Sequence, residues 1–199
     1  MLSLGHALFF AAGLYGMGMS MHHLGWPAEA ALLAGGIAGV VAAFGVGVLA
    51  LRTTGVAFMI VTLMFAQAGY LTILYFGDYT RGDEGFVIAA AERIFLGFEL
   101  TDPSFRYGAA LILFAVMVVV TLRLVQSGFG HVLVAIRENE ERTRMLGYDI
   151  QRHKLIAMVI SGGMAGLAGA AYGLLFGYVG ASFASVQYSI CLLYTSPSP

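Results

Sequence analysis

Charge is scarce in this sequence. Asp, Glu, Lys and Arg make up 11% of it, 59% is hydrophobic and the mean hydropathy is +0.85, whereas soluble domains carry about 25% charge. Such a composition excludes an ordinary soluble domain and describes an integral membrane protein. The net charge is −1 with no basic block, so nucleic acid is not expected as a partner. A single cysteine, Cys191, excludes an intramolecular disulfide and a cysteine metal cluster. The single lysine, Lys154, follows His153, so the chain holds no Gly-Lys phosphate-binding loop of its own. His22 and His23 are adjacent and lack further ligands, so no metal site is expected. No pairing of residues suggests catalysis, and the chain is read as a non-enzyme that binds no cofactor.

What is present is a series of apolar segments at 4–21, 28–51, 56–76, 106–124 and 155–178, of a length that crosses ~30 Å of hydrocarbon at ~1.5 Å per residue. The expected fold is an all-α polytopic helix bundle with about five transmembrane helices, occupying residues 1–190. No basic residue precedes the first apolar run and no small-residue cleavage site follows it, so it reads as a span rather than a signal peptide. Trp26 suits the headgroup layer and Pro27 the first turn of the next helix. Small residues recur four apart in two spans: Gly35, Gly39, Ala43 and Gly47, then Ser161, Ala165, Gly169, Gly173 and Gly177, with Gly162 and Gly166 beside them. In lipid, where hydrophobicity does not favour partner over solvent, such stripes let helices approach closely, so these are read as helix-packing positions.

Two polar segments interrupt the series. The segment 77–105 carries Asp78, Arg81, Asp83, Glu84, Glu92, Arg93, Glu99 and Asp102, too many charges to cross. Within it Ile88, Ala91, Phe95 and Phe98 recur at helical spacing, which predicts a helix over Phe86 to Phe98, either lying in the interface or packed on the protein. The segment 125–154 holds the densest charge: Arg137, Glu138, Asn139, Glu140, Glu141, Arg142, Thr143 and Arg144. Glu138 with Arg142 and Glu140 with Arg144 are spaced i, i+4 with the acid first, and Leu133, Ile136, Thr143 and Leu146 form a seam. One helix from His131 to Leu146 is predicted, with Gly147 as its stop. A solvated connector is the usual explanation of such a run; against it stands its length, since a mere connection could be as short as the turn at Arg52, and a whole charged helix here leaves a docking role as the other reading.

Seven cations, Arg52, Arg123, Arg137, Arg142, Arg144, Arg152 and Lys154, fall on one side, against Arg81, Arg93 and Arg106 on the other. The positive-inside rule puts 125–154 in the cytoplasm, and with five spans the start of the chain lies there too. His6 is expected to cap or pack near that surface. No acid or base occupies the middle of a span, so the titratable residue of a proton-coupled carrier is missing and energy must come from outside the membrane segments. A sodium carrier using backbone carbonyls at broken helices stays open. Gln67, Thr62 and Thr72 in the third span are the pathway candidates, although such residues more often hydrogen bond between helices.

Ser3-Leu4-Gly5-His6-Ala7, then Leu51-Arg52 to Gly55 leading into Val61-Thr62-Leu63-Met64-Phe65-Ala66, resemble the LivM-type permeases of branched-chain amino-acid ABC importers. The most specific match is Phe129-Gly130-His131-Val132-Leu133 through Ala135-Ile136-Arg137-Glu138-Asn139-Glu140-Glu141-Arg142 to Leu146-Gly147-Tyr148. The likeness continues through Lys154-Leu155 and Ile160-Ser161-Gly162 to Ala165-Gly166-Leu167-Ala168-Gly169-Ala170. The resemblance implies a bacterial inner-membrane permease that pairs with a second, homologous permease and with ABC ATPase subunits, fed by an extracytoplasmic substrate-binding protein that performs most of the selection. It implies that Arg137, Glu138, Glu140, Glu141, Arg142, Arg144 and Gly147 belong to a coupling loop that docks on the ATPase. The family's usual Glu-Ala-Ala pattern is only half kept, since Arg142 and Thr143 replace the alanines. Family permeases extend beyond this chain at both ends, and residues 191–199 cease to resemble them and read as a foreign tail. An ion-coupled secondary transporter of small solutes is the alternative reading; a membrane-embedded enzyme is disfavoured by the lack of intramembrane acids.

Overall fold

The computed structural model describes residues 5–82, 84–88, 94–95, 98–99 and 102–185. Ser3, Asp83, Ala91, Glu92, Arg93 and the tail at 191–199 lie outside the described residues.

The apolar segments are helices. They are α1 (His6–Leu24), α2 (Ala28–Ala50), α3 (Val56–Tyr75), the short α4 (Gly77–Thr80), α5 (Pro103–Gln126), α6 (Gly128–Glu138), α7 (Glu140–Met145) and α8 (Ile150–Phe176). Of these α2, α3, α5 and α8 are long and apolar enough to cross a membrane. The other long helix, α1, has its apolar content diluted by His6, His22 and His23 but packs on both α2 and α8. The chain is thus a helical, polytopic, membrane-embedded protein. Helix boundaries follow local chemistry: Pro103 opens α5, where a missing N–H costs nothing, and Gly25 closes α1 in the left-handed conformation at φ 61°.

The core is the three-helix set α1, α2 and α8, which pack pairwise on one another. Where they cross, backbone meets backbone. A Cβ on Gly39 would lie 2.7 Å from the Cα of Gly166, and one on Gly35 would lie 2.6 Å from the carbonyl oxygen of Gly13, closer than side chains tolerate. Gly35, Gly39, Ala43 and Gly47 are all buried on one face of α2, as their spacing implies. On α8 the stripe differs from expectation. Ser161 and Ala165 are only half-buried, and the close contacts run through Gly162 against Ala43, Gly166 against Gly39, Gly169 against Phe10 and Gly173 against Met17. A four-residue step drifts by about 40° around a helix of ~3.6 residues per turn, so a stripe of five residues, four such steps, cannot stay on one face. Gly177 lies beyond the helix altogether, closing α8 at φ 68°, because the chain must turn there into a strand.

The peripheral helices are α3, which buries only Phe58, Thr62 and Ala66, and α5, which buries none of its residues. At one end of the bundle two-residue strands replace the helix predicted over Phe86 to Phe98. Strand β1 (Phe86–Val87) pairs antiparallel with β4 (Tyr178–Val179), Phe86 opposite Val179, and β2 (Ile94–Phe95) pairs with β3 (Phe98–Glu99). Phe86 and Ile88 are instead buried in the α1 and α8 core beside Val179, and Ile88 N–H donates to the Gly177 carbonyl at 2.8 Å. Pairing with a distant strand outweighs the local helical spacing. A 3-10 turn at Ala181–Ala184 packs against α1 and α3.

Candidate functional site

The charged segment sits at the other end, and its shape is set by three caps. Ser127 Oγ accepts from Gly130 N–H at 3.3 Å and starts α6. Asn139 adopts an extended conformation, φ −157° and ψ 106°, and its Oδ1 accepts from Arg142 N–H at 3.0 Å, starting α7. Asp149 Oδ1 accepts from Arg152 N–H at 3.2 Å and starts α8. Asparagine competes for backbone donors and so favours a cap over a helix interior. The single helix predicted over His131 to Leu146 is therefore two helices with a corner at Asn139. One consequence is that Glu138 and Arg142 fall on different helices, and the i, i+4 pair expected between them does not form.

Glu140 and Arg144 do share α7, but the Glu140 carboxylate turns to Lys154 on α8 and forms an ion pair with it. The predicted seam is partly kept. Ile136 and Thr143 are buried and Leu133 is half-buried, while Leu146 is 75% exposed because α7 ends at Met145 and Gly147, at φ 87°, turns the chain away. Thr143 also donates its hydroxyl to the Asn139 carbonyl at 2.9 Å, which fixes the corner from inside. His153 braces the start of α8, stacked on Phe129 with ring centroids 5.8 Å apart and meeting Tyr148 edge-on.

This arrangement gathers the predicted coupling residues. Arg137, Glu138, Glu140, Glu141, Arg142, Arg144 and Gly147 are all exposed on one end of the molecule. They flank an apolar tip of Met145, 87% exposed, and Leu146. The short turn after α2 lies alongside, since Thr53 and Thr54 share a small cleft with Glu141 and Arg144. The cationic loops are thus on one end, while Arg81 and Arg106 lie at the other, the latter with its guanidinium 5.5 Å from the Phe176 ring centroid.

Between α6 and α8 is a cavity of about 660 Å3. Arg137, Glu138, Glu140 and Lys154 line it, with His6 and Ser161 joined by a 2.8 Å hydrogen bond between Nε2 and Oγ. His6 therefore packs against α8 at this end. The pathway candidates are not brought together: Thr62 is fully buried and donates to Met59 O at 2.9 Å, whereas Gln67 and Thr72 are exposed, Thr72 donating to Ala68 O at 2.8 Å. Sequence reading missed Lys154 as the partner of Glu140, although its being the sole lysine was a signal; Ser161, a polar residue within a span, makes the interhelical hydrogen bond usual for such residues, with His6 as its partner. Among the described residues no group of three His, Cys, Asp or Glu side chains could hold a metal.

A family model described as branched-chain amino acid transport system / permease component matches residues 1–195. The high-affinity branched-chain amino acid transport system permease protein LivM of Escherichia coli (strain K12) is 30% identical over 201 residues, covering 90% of this chain and 47% of that protein. The protein of the same name from Salmonella typhimurium is also 30% identical, with the same coverage of both chains. The chain therefore spans about half the length of these relatives. No solved structure matches it.

Proposed function

Because this chain belongs to the family of branched-chain amino acid transport system permease components, we propose that it is part of the permease subunit of an ABC importer for branched-chain or related amino acids. Separate ATPase subunits hydrolyse the ATP, a second permease completes the membrane channel, and an extracytoplasmic binding protein delivers the solute. The end bearing α6 and α7 faces the cytoplasm of a bacterial inner membrane, as its excess of arginine supports.

The observation that carries this reading is α7. It is a short helix set off from α6 by the Asn139 corner and held to α8 by the Glu140 and Lys154 pair. Its remaining charges, Glu141, Arg142 and Arg144, point outward with Met145 and Leu146 at its end. Charged rims around an exposed apolar tip suit docking into a groove on another protein. The experiment is co-purification of the full-length protein with its ATPase. Replacing Glu141, Arg142, Arg144 and Leu146 together by alanine is expected to abolish both ATPase retention and ATP-dependent uptake. Retention and uptake at wild-type levels would remove α7 from the coupling role, and uptake by ATP-free vesicles under an ion gradient would favour an ion-coupled carrier.

A further inference from the structure

Helix α7 is joined to the rest of the molecule at few points. The chain bends at both of its ends, at the extended Asn139 before it and at Gly147, φ 87°, after it. Within α7 only Thr143 is buried, and its hydroxyl turns back to the Asn139 carbonyl of the same corner. Among the described residues the pair of Glu140 with Lys154 is the one side-chain hydrogen bond or salt bridge that leaves α7 for another helix.

That pair is sheltered. Leu51, at the close of α2, lines both the small cleft shared with Thr53 and Thr54 and the cavity shared with His6 and Ser161, and so do Glu140 and Lys154. The pair therefore stands where the two hollows meet against the end of α2, and the lysine side chain is almost wholly enclosed. An enclosed pair is screened much less than one on the surface. Lys154 also stands beside the contacts of α8 with the other core helices. Leu155, the next residue, approaches α2 so closely that a Cβ on Gly47 would lie 2.8 Å from the Leu155 Cδ1. About two turns further along α8, Ser161 is hydrogen bonded to His6 of α1 at 2.8 Å. One cation thus links α7 to a helix in direct contact with both α1 and α2, a contiguous set of packed and hydrogen-bonded groups of the kind that carries energetic coupling.

We propose that Lys154 is the positioning residue that ties the coupling helix to the membrane core: through Glu140 it fixes where α7 stands on α8, and it passes displacement of α7 on to α1 and α2. The inference rests on the importer reading and adds a residue that acts through α7 without touching the ATPase. Docking and transmission then fall to different side chains. Glu141, Arg142, Arg144 and Leu146 are exposed to a partner, whereas the Glu140 carboxylate turns to α8.

The test uses the full-length protein with its partner permease and ATPases in proteoliposomes. Lys154→Met keeps the stem, drops the charge and leaves every exposed docking residue in place. It is expected to retain the ATPase and to hydrolyse ATP, while uptake per ATP falls about tenfold, within the range of ordinary coupling energies. Exchanging the pair, Glu140→Lys with Lys154→Glu, is expected to restore most of that ratio. Unchanged uptake per ATP in Lys154→Met overturns the proposal. Loss of the ATPase from that variant also overturns it, since the pair would then serve docking or folding, and an exchanged pair no better than Lys154→Met overturns the role of Glu140. A wild-type preparation without ATP-driven uptake overturns the importer reading itself. The tie is then read by hydrogen exchange at the Thr143 amide, which donates to the Asn139 carbonyl at 3.2 Å: faster exchange in Lys154→Met is expected, and an unchanged rate removes the tie.

Discussion

Lys154 and Glu140 form an ion pair whose two ends see different surroundings: the lysine side chain is 9% exposed and the glutamate 53%. Removing either partner therefore has unequal effects. Glu140→Ala leaves an ammonium enclosed by protein and without its counter-charge, whereas Lys154→Met leaves a carboxylate that water can solvate. Glu140→Ala is expected to cost about 1–2 kcal/mol, between the values for exposed and buried pairs. Lys154→Met should cost well under that. Thermal unfolding of the full-length protein in detergent reads both, and a lysine variant as damaging as the glutamate variant would contradict the asymmetry.

The corner at Asn139 should depend on one side-chain oxygen. Asn139→Ala removes the acceptor for Arg142 N–H and is expected to cost about 1 kcal/mol, while Asn139→Asp keeps the cap and should cost little. Hydrogen exchange at the Arg142 amide is the direct readout. Faster exchange in the alanine variant alone is the expected result.

Close approach at the helix crossing makes a sharper contrast between two glycines of α2. A Cβ on Gly39 meets the Gly166 backbone at 2.7 Å, whereas one on Gly45 meets nothing within 4 Å. Gly39→Ala should destabilise by about 1–3 kcal/mol, the usual cost of overpacking. Gly45→Ala should be neutral or slightly stabilising, since alanine is the better helix former by about 1 kcal/mol. Unfolding temperatures of the two variants, compared side by side, decide this.

Sidedness has its own check. Glu84 and Leu146 lie at opposite ends of the bundle and both are exposed. Cysteines placed at these two positions should differ in intact cells, with an impermeant thiol reagent reaching position 84 and not position 146. Labelling of position 146 alone would invert the orientation.

Much of the helical frame was legible because its signals are local. The apolar runs, Pro103 at the start of α5 and Gly147 after α7 each declare themselves within a few residues of sequence. The features that were not legible depend on partners elsewhere. The spacing of Ile88, Phe95 and Phe98 suits a helix, but the strand partner of Phe86 is Val179 on the far side of α5 and α8. Asn139 in a charged run fits either a helix interior or a cap, and only the path of α7 back towards Lys154 selects the cap. The stripe on α8 is present in sequence, yet which of its neighbours make contact depends on how the helix is rotated between α1 and α2. Thr62, Gln67 and Thr72 do not resolve into a path because α3 packs so little of its surface against the other helices.

The antiparallel pair of β1 with β4 bears on the order of assembly. Tyr178 reaches back to donate its hydroxyl to the Glu84 carbonyl at 3.3 Å, across 94 positions of the chain. Such contacts are entropically late, because both ends of a long intervening segment must first be placed. During synthesis the segment containing Phe86 emerges well before Tyr178 exists, so its final backbone partner becomes available only after α5 and α8 have been made. Closure of this end of the molecule accordingly follows the synthesis of α5 and α8, and a chain arrested before Val179 would carry the Phe86 ring without the strand that covers it.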